Sequence, residues 1–261
     1  MKKLGVGAAV VVATVAFAGS ALAQEAGAST GGEVGMTLPG ANAPAAAATQ
    51  GESDHDGVVG RFGVGYLGAS SVAFGHGGGA PPDVNFLSAP VIGLRYWIDQ
   101  MIGLDAGLGF SNTGGSFNNG TTTTDDASAT AVLIHAGLPL SLAGDGHFSF
   151  QIVPEVNVGF STRKQTDVNG PGTEDVTTSG TSINVGARAG AEIHFGFMGI
   201  PQLSLQGSVG LGFRTDTGKI ETVPAAGAST VTERTSTRIA TTVNNNPWDI
   251  FTTNVAALYY F

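Results

Sequence analysis

From residue 148 to residue 160, Phe148, Phe150, Ile152, Val156, Val158 and Phe160, with Pro154 among them, occupy every second position. Ser149, Gln151, Glu155, Asn157 and Gly159 lie between them. A period of two places the two sets on opposite faces of a strand. What each face carries limits the possible folds. A soluble sandwich would bury the large side chains and turn its ions to water, and a single open sheet would keep exposed edges. Here the minor face is Gly, Ser and scattered ions, so the sequence predicts a closed sheet with its small, polar face inside and its apolar face outside.

The same unit recurs eight times from Val58 onward: a strand of about ten residues, then alternately a long polar loop or a short turn. The first strand opposes Phe62, Val64 and Tyr66 to Arg61, Gly63 and Gly65, and leads to a Gly/Pro-rich loop over about residues 75–88. The second turns Ile92, Leu94, Tyr96 and Ile98 out and Arg95 in. After a tight turn at Asp99 and Gln100, the third sets Ile102, Leu104, Ala106, Leu108 and Phe110 against Gly103, Asp105, Gly107 and Gly109. A polar loop follows over 111–126.

The fourth strand turns Val132, Ile134, Ala136, Leu138 and Leu140 out and His135 in, and Gly144, Asp145 and Gly146 reverse it toward the fifth. Beyond a loop at about 168–175, the sixth sets Ile183, Val185, Ala187, Ala189, Ala191 and Ile193 against Asn184, Arg188, Glu192 and His194. A turn at 196–202 leads to the seventh, with Leu203, Leu205, Val209, Leu211 and Phe213 out and Gln206, Ser208 and Arg214 in. The eighth runs from about Trp248 to the end, with Val255, Ala257, Tyr259 and Phe261 on one face.

The strand NVAALYYF, ending on Phe261, and the eight-strand pattern over 58–261 resemble the small outer-membrane β-barrels of Gram-negative bacteria. Outer-membrane proteins A, X and W are familiar types. With no peptidoglycan-binding domain expected after Phe261, the chain resembles the free-standing X and W types. The resemblance implies an all-β fold: a transmembrane, antiparallel, up-and-down eight-stranded β-barrel in contact with outer-membrane lipids. It also implies that the barrel assembly machinery reads the C-terminal strand ending in Phe261. Closure satisfies every backbone group inside hydrocarbon, which only helices and closed barrels achieve. Short turns after strands two, four and six put both ends of the barrel in the periplasm and the long loops at the cell surface.

Residues 1–23 read as a secretory signal peptide: Lys2 and Lys3, an apolar run over 4–18, and Ala21, Leu22 and Ala23 before Gln24. No later stretch approaches the roughly 20 apolar residues of a spanning helix. Residues 24–57, dominated by Ala, Gly, Ser and Pro, show no period and little apolar bulk, and read as a disordered periplasmic tail. The barrel is expected over 58–261. Gly, at 41 of 261 residues, is about double its usual share of roughly 7%, as small inward residues of a narrow barrel require. Without Lys2 and Lys3, 9 of the 11 basic residues face 20 acidic ones, which disfavours nucleic acid. The absence of cysteine removes disulfides, thiol catalysis and thiolate metal sites.

Taking loops and turns as hairpin centres brings Arg95, Asp105, His135, Glu155 and Arg188 opposite one another across strands two to six. These five, with Glu192 and His194, are expected to form a polar network that plugs the lumen. Tyr66, Tyr96, Phe110, Phe148, Phe213, Tyr259 and Phe261 are expected at the membrane interfaces. The run from Gly63 to Gly68 fits G-x-G-x-x-G, but no βαβ unit surrounds it, so dinucleotide binding is not expected. The five histidines have no metal spacing: His55 falls in the tail, His76 in a loop, His147 beside a turn, and His135 and His194 inside the barrel. No catalytic set, cofactor or metal is expected.

Three functional classes follow. The favoured one is a structural or surface-interaction barrel whose extracellular loops bind a ligand. The alternatives are a narrow, porin-like channel for small solutes and, less favoured, a lipid-modifying enzyme. An eight-stranded barrel is barely wide enough for its own side chains, which weighs against the channel. The loop expected to bind is the longest, 215–247. Its segments 219–223 and 230–243 are rich in Thr, Val and Ile and favour extended structure, with a turn at 224–229.

Overall fold

Period-two segments rich in Val, Ile, Thr and Phe become strands, and the glycine and proline clusters between them become turns. The computed structural model describes residues 53–77, 84–118, 120–121, 123–167, 174–224, 226–243, 249–252 and 254–261. The expected signal peptide and the tail as far as residue 52 lie outside the described residues. Of the two units into which the chain divides, all described residues belong to Ala47–Phe261.

The strands are β1 (Phe62–His76), β2 (Val84–Trp97), β3 (Gly103–Asn118), β4 (Thr123–Gly137), β5 (Leu140–Asp145), β6 (Phe148–Asp167), β7 (Glu174–Phe195), β8 (Ile200–Pro224), β9 (Thr230–Thr241) and β10 (Val255–Tyr260). A short helix α1 (Asp249–Thr252) precedes β10. The pairing is antiparallel throughout and runs β1-β2-β3-β4-β6-β7-β8, with β10 bonded to both β8 and β1. The sheet is therefore a ring with eight strand positions. One end carries the short connections near residues 99, 146 and 197, and is called the turn end; the other is the hairpin end.

Ten strands fill eight positions because two of the expected strands are broken. The fourth is split into β4 and β5, both paired with β6. Pro139, which has no N–H to give to a ladder, sits at the break. The eighth does not start near Trp248, a residue outside the described set. β9 pairs with β8 over Leu211–Thr222 and β10 pairs with it over Leu203–Gly207, so two strands share one edge of β8, with α1 between them in the chain. Two of the expected polar loops, 75–88 and 111–126, are shorter than composition suggested, while the extended segments expected within 215–247 are present as the end of β8 and as β9. Much of 75–88, 111–126 and 215–247 is strand, β8 running unbroken for 25 residues.

The predicted parity holds around the ring. Ile92, Leu108 and Leu211 are 66%, 65% and 57% exposed on the outer face, whereas Arg95, Gln151 and Glu192 are fully buried inside. The outer apolar band has a level edge toward the hairpin end: Phe110 gives way to Asn112, Val132 to Thr130, Phe160 to Thr162, Ile183 to Thr181, Phe213 to Thr215 and Ile239 to Thr237. Several of these change-over residues are cross-strand partners: Val132 pairs with Phe110 on one side and Phe160 on the other, and Thr130 with Asn112 and Thr162.

The interior is less uniformly polar than expected. On the β1, β2, β4 and β10 side, Leu67, Val72, Val91, Leu133, Leu258 and Tyr260 pack as a buried apolar cluster with Trp97. A bulge between Tyr66 and Ala69, with Gly68 at φ 109°, turns Leu67 inward. There it fills the space over Gly93, where an added Cβ would collide with its Cδ1, and touches the space over Gly107, which Val91 also fills. Past this bend, β1 leaves the line of the ring and crosses its interior.

Candidate functional site in the ring interior

Three tiers of inward side chains run from the turn end to the hairpin end. The first is centred on Arg95, which lies directly opposite Asp105 across β2 and β3. Its Nε and Nη2 donate to the two Asp105 oxygens at 2.7 and 2.8 Å. Nη1 reaches Glu192 Oε2 and Gln151 Oε1, each at 3.3 Å, and Nη2 also reaches Gln206 Oε1 at 3.0 Å. A guanidinium has five N–H donors, and these bonds use them all. Glu192 accepts in addition from Gln151 Nε2, from Ser204 Oγ at 2.5 Å and from Tyr260 Oη at 3.1 Å. Tyr260 in turn accepts from Trp97 Nε1 at 3.2 Å. Strands β2, β3, β6, β7, β8 and β10 thus meet in one buried, hydrogen-bonded block across the ring.

The expected belt is divided here. Glu155 and Arg188 sit one tier higher, with Arg188 Nε 2.7 Å from Glu155 Oε2 at an angle poor for a hydrogen bond. His135 is not held between Asp105 and Glu155; its Nδ1 meets Asn157 Oδ1 at 2.8 Å, directly across β4 and β6. This tier borders a cavity of about 220 Å³ lined by His135, Glu155, Asn184, Arg188, Arg214 and Arg238 among others. Its groups are under-satisfied: His135 Nε2, Asn184 Oδ1 and Arg188 Nη2 are buried without a hydrogen-bond partner. Arg214 and Arg238 both stand over the Phe86 ring, at 4.9 and 5.1 Å.

The third tier closes the cavity toward the hairpin end. β1 beyond its bend lies across Ser161, Gly180 and Gly218, inward neighbours on β6, β7 and β8. The Ala73 amide donates to Ser182 Oγ at 2.7 Å and its carbonyl accepts from Ser161 Oγ at 2.5 Å. A Cβ at 180 or 218 would overlap the carbonyl of Ala73 or Gly75, so both positions must be glycine for the backbone to approach. Arg214 locks the contact, paired with Asp216 at 2.7 Å and donating to Ser71 O at 2.8 Å. No known family's sequence profile, no curated protein and no solved structure matches this chain.

At the turn end, residues composition assigned to the tail are built into the structure. Asp54 N donates to Gly146 O at 2.9 Å. Asp54 Oδ2 accepts from Gly196 N at 3.0 Å and meets His147 Nδ1 at 2.6 Å. His55 is buried, edge-on to Trp97 at 4.4 Å and 6.0 Å from the His194 ring. No periodic signal marks this anchor, because two isolated residues, Asp54 and His55, in a low-complexity segment make no repeat. Of the outward aromatics, Tyr96 packs against Phe62 with tilted rings and Tyr259 packs edge-to-face against Phe261 near the turn end, with Phe148 beside the same end. Phe110 and Phe213 lie at the upper edge of the apolar band. Tyr66 stands apart, mid-wall between Ile92 and Ala257.

Proposed function

We propose that this chain is an integral outer-membrane β-barrel that presents a surface-interaction ridge at the cell exterior. The observation that carries the membrane reading is the outer apolar band with its level edge of Thr and Asn. Phe148 and Phe160 mark its two limits on β6; at about 3.3 Å per residue they are roughly 40 Å apart along the strand, or roughly 28 Å in height at a tilt of about 45°, close to the ~25 Å apolar band of such barrels. The polar interior supports the same reading, since charge that cannot face lipid faces inward.

The ridge is the part of β6 to β9 beyond that edge. A strand needs about 9–11 residues to cross a bilayer, and β7 and β8 have 22 and 25. Their outer ends carry Thr ladders, Thr215 with Thr237 and Thr217 with Thr235. Among the described residues β9 pairs only with β8, so its far edge offers main-chain donors and acceptors to an added strand. The narrow channel is the alternative, favoured by the 220 Å³ cavity and opposed by the Arg95 block and the β1 crossing on either side of it.

The test excises residues 220–232 between the paired Lys219 and Glu233 and joins them with an Asn-Gly turn. Correct insertion with lost adhesion or ligand capture supports the ridge. Unchanged binding with correct insertion defeats it, and a steady conductance from the unaltered protein favours the channel.

A further inference from the structure

We propose that His55, Glu192 and His194 form a binding site for a divalent late first-row cation, of which zinc is the type, and that the ion fastens the segment around residues 53–58 across the turn end of the ring. One ligand atom from each residue lies within 4.8 Å of the other two, and all three residues are buried. Zinc bonds of about 2.0–2.2 Å in a tetrahedral arrangement hold ligand atoms about 3.4 Å apart. The set must therefore contract by up to about 1.4 Å. His55, carried by the turn before the strands begin rather than by the sheet, can supply that movement.

The second observation is the state of the imidazoles. His55 Nε2 is 3.0 Å from the Gln100 carbonyl, which can only accept, so this nitrogen carries the proton and Nδ1 keeps its lone pair. That nitrogen and both nitrogens of His194 are buried without a well-formed hydrogen bond, the Pro201 backbone being the group that one His194 nitrogen approaches. A ligating histidine usually donates its other ring N–H to a carbonyl or carboxylate in this way. Glu192 Oε1 points toward His194, 4.0 Å from its Nε2, and is steadied by Ser204 and Tyr260, as ligating carboxylates are by their surroundings.

Charge and donor chemistry agree. Arg95 is one guanidinium between two buried carboxylates, Asp105 and Glu192, so a cation beside Glu192 meets an uncompensated negative charge. Two imidazoles and one carboxylate suit zinc, nickel or copper rather than magnesium or calcium, which demand oxygen ligands.

The experiment uses the full chain without an affinity tag, refolded in detergent after chelator treatment. Titration with cobalt(II) should give the visible absorption of a low-coordinate site at one ion per chain, and zinc should displace it and raise the unfolding temperature. His55→Ala, which leaves the ring strands untouched, should weaken zinc binding at least about tenfold. His194→Gln should do the same, and His76→Ala, at the opposite end, should change nothing. Folded wild-type protein that shows neither cobalt absorption nor zinc heat overturns the proposal, leaving a water or a proton in the place of the ion. Zinc binding that keeps its affinity in both His55→Ala and His194→Gln overturns it as well.

Discussion

Arg95 shows how a single residue holds this interior together. Its guanidinium is buried and fully bonded, and its removal strands Asp105 and Glu192 as buried carboxylates. Breaking a buried pair by deleting one partner costs about 3–5 kcal/mol, so Arg95→Ala should lower the unfolding free energy by that amount in a urea titration of refolded protein. A loss below about 1 kcal/mol would mean that water already reaches the carboxylates. The Arg95–Asp105 rung was legible in the sequence, because both residues lie at nearly equal distance from the turn at Asp99 and Gln100. Glu192 was legible by parity, but its reach to Arg95 was not, since a long side chain crossing the interior follows no ladder register. His55 could not be read at all, its burial depending on a turn-end pocket that three distant connections create.

At the scale of elements, apolar alternation gave the wall, and the Thr, Val and Ile content of 219–223 and 230–243 gave its extension into β8 and β9; the extensions over 75–88 and 111–126 were not legible. Where strands leave the apolar band they become Thr- and Asn-rich on both faces, as in 111–118, and a polar run looks like a loop until its cross-strand partners are known. The inward turn of β1 was equally hidden, because Gly68 and Gly75 signal a bend without giving its direction. The Gly180 contact tests that bend. Gly180→Val should displace β1 from β7 and raise conductance, while the ring still forms; an unaltered conductance would show that the crossing strand does not close the interior. The outer face makes the complementary prediction. Val185 is half exposed among apolar neighbours, and Val185→Arg should cost about 2–4 kcal/mol of folding into lipid if it sits near mid-membrane. Thr215→Arg, above the edge of the band, should be tolerated.

For the whole molecule, fold and proposed setting share one physical cause. A closed sheet pairs the strand edges of its wall, and one with a continuous outward band of large apolar side chains calls for an apolar surrounding. The interior is then free to hold what the exterior cannot: the Arg95 block, the half-satisfied cavity and the apolar cluster around Leu67. The edge proposed to bind, that of β9 over residues 230–237, lies beyond the band, where water can satisfy it. The central claim is that the outer face meets lipid and the inner face does not. The chain has no cysteine, so single cysteines can be placed along β6 and labelled with a nitroxide after refolding into lipid vesicles. Labels at Phe150, Ile152, Val156 and Val158 should relax with dissolved oxygen and not with a water-soluble nickel chelate, while labels at Gln151 and Asn157 should respond weakly to oxygen. A reversed alternation, or outward labels that respond to the chelate as strongly as to oxygen, would contradict the claim.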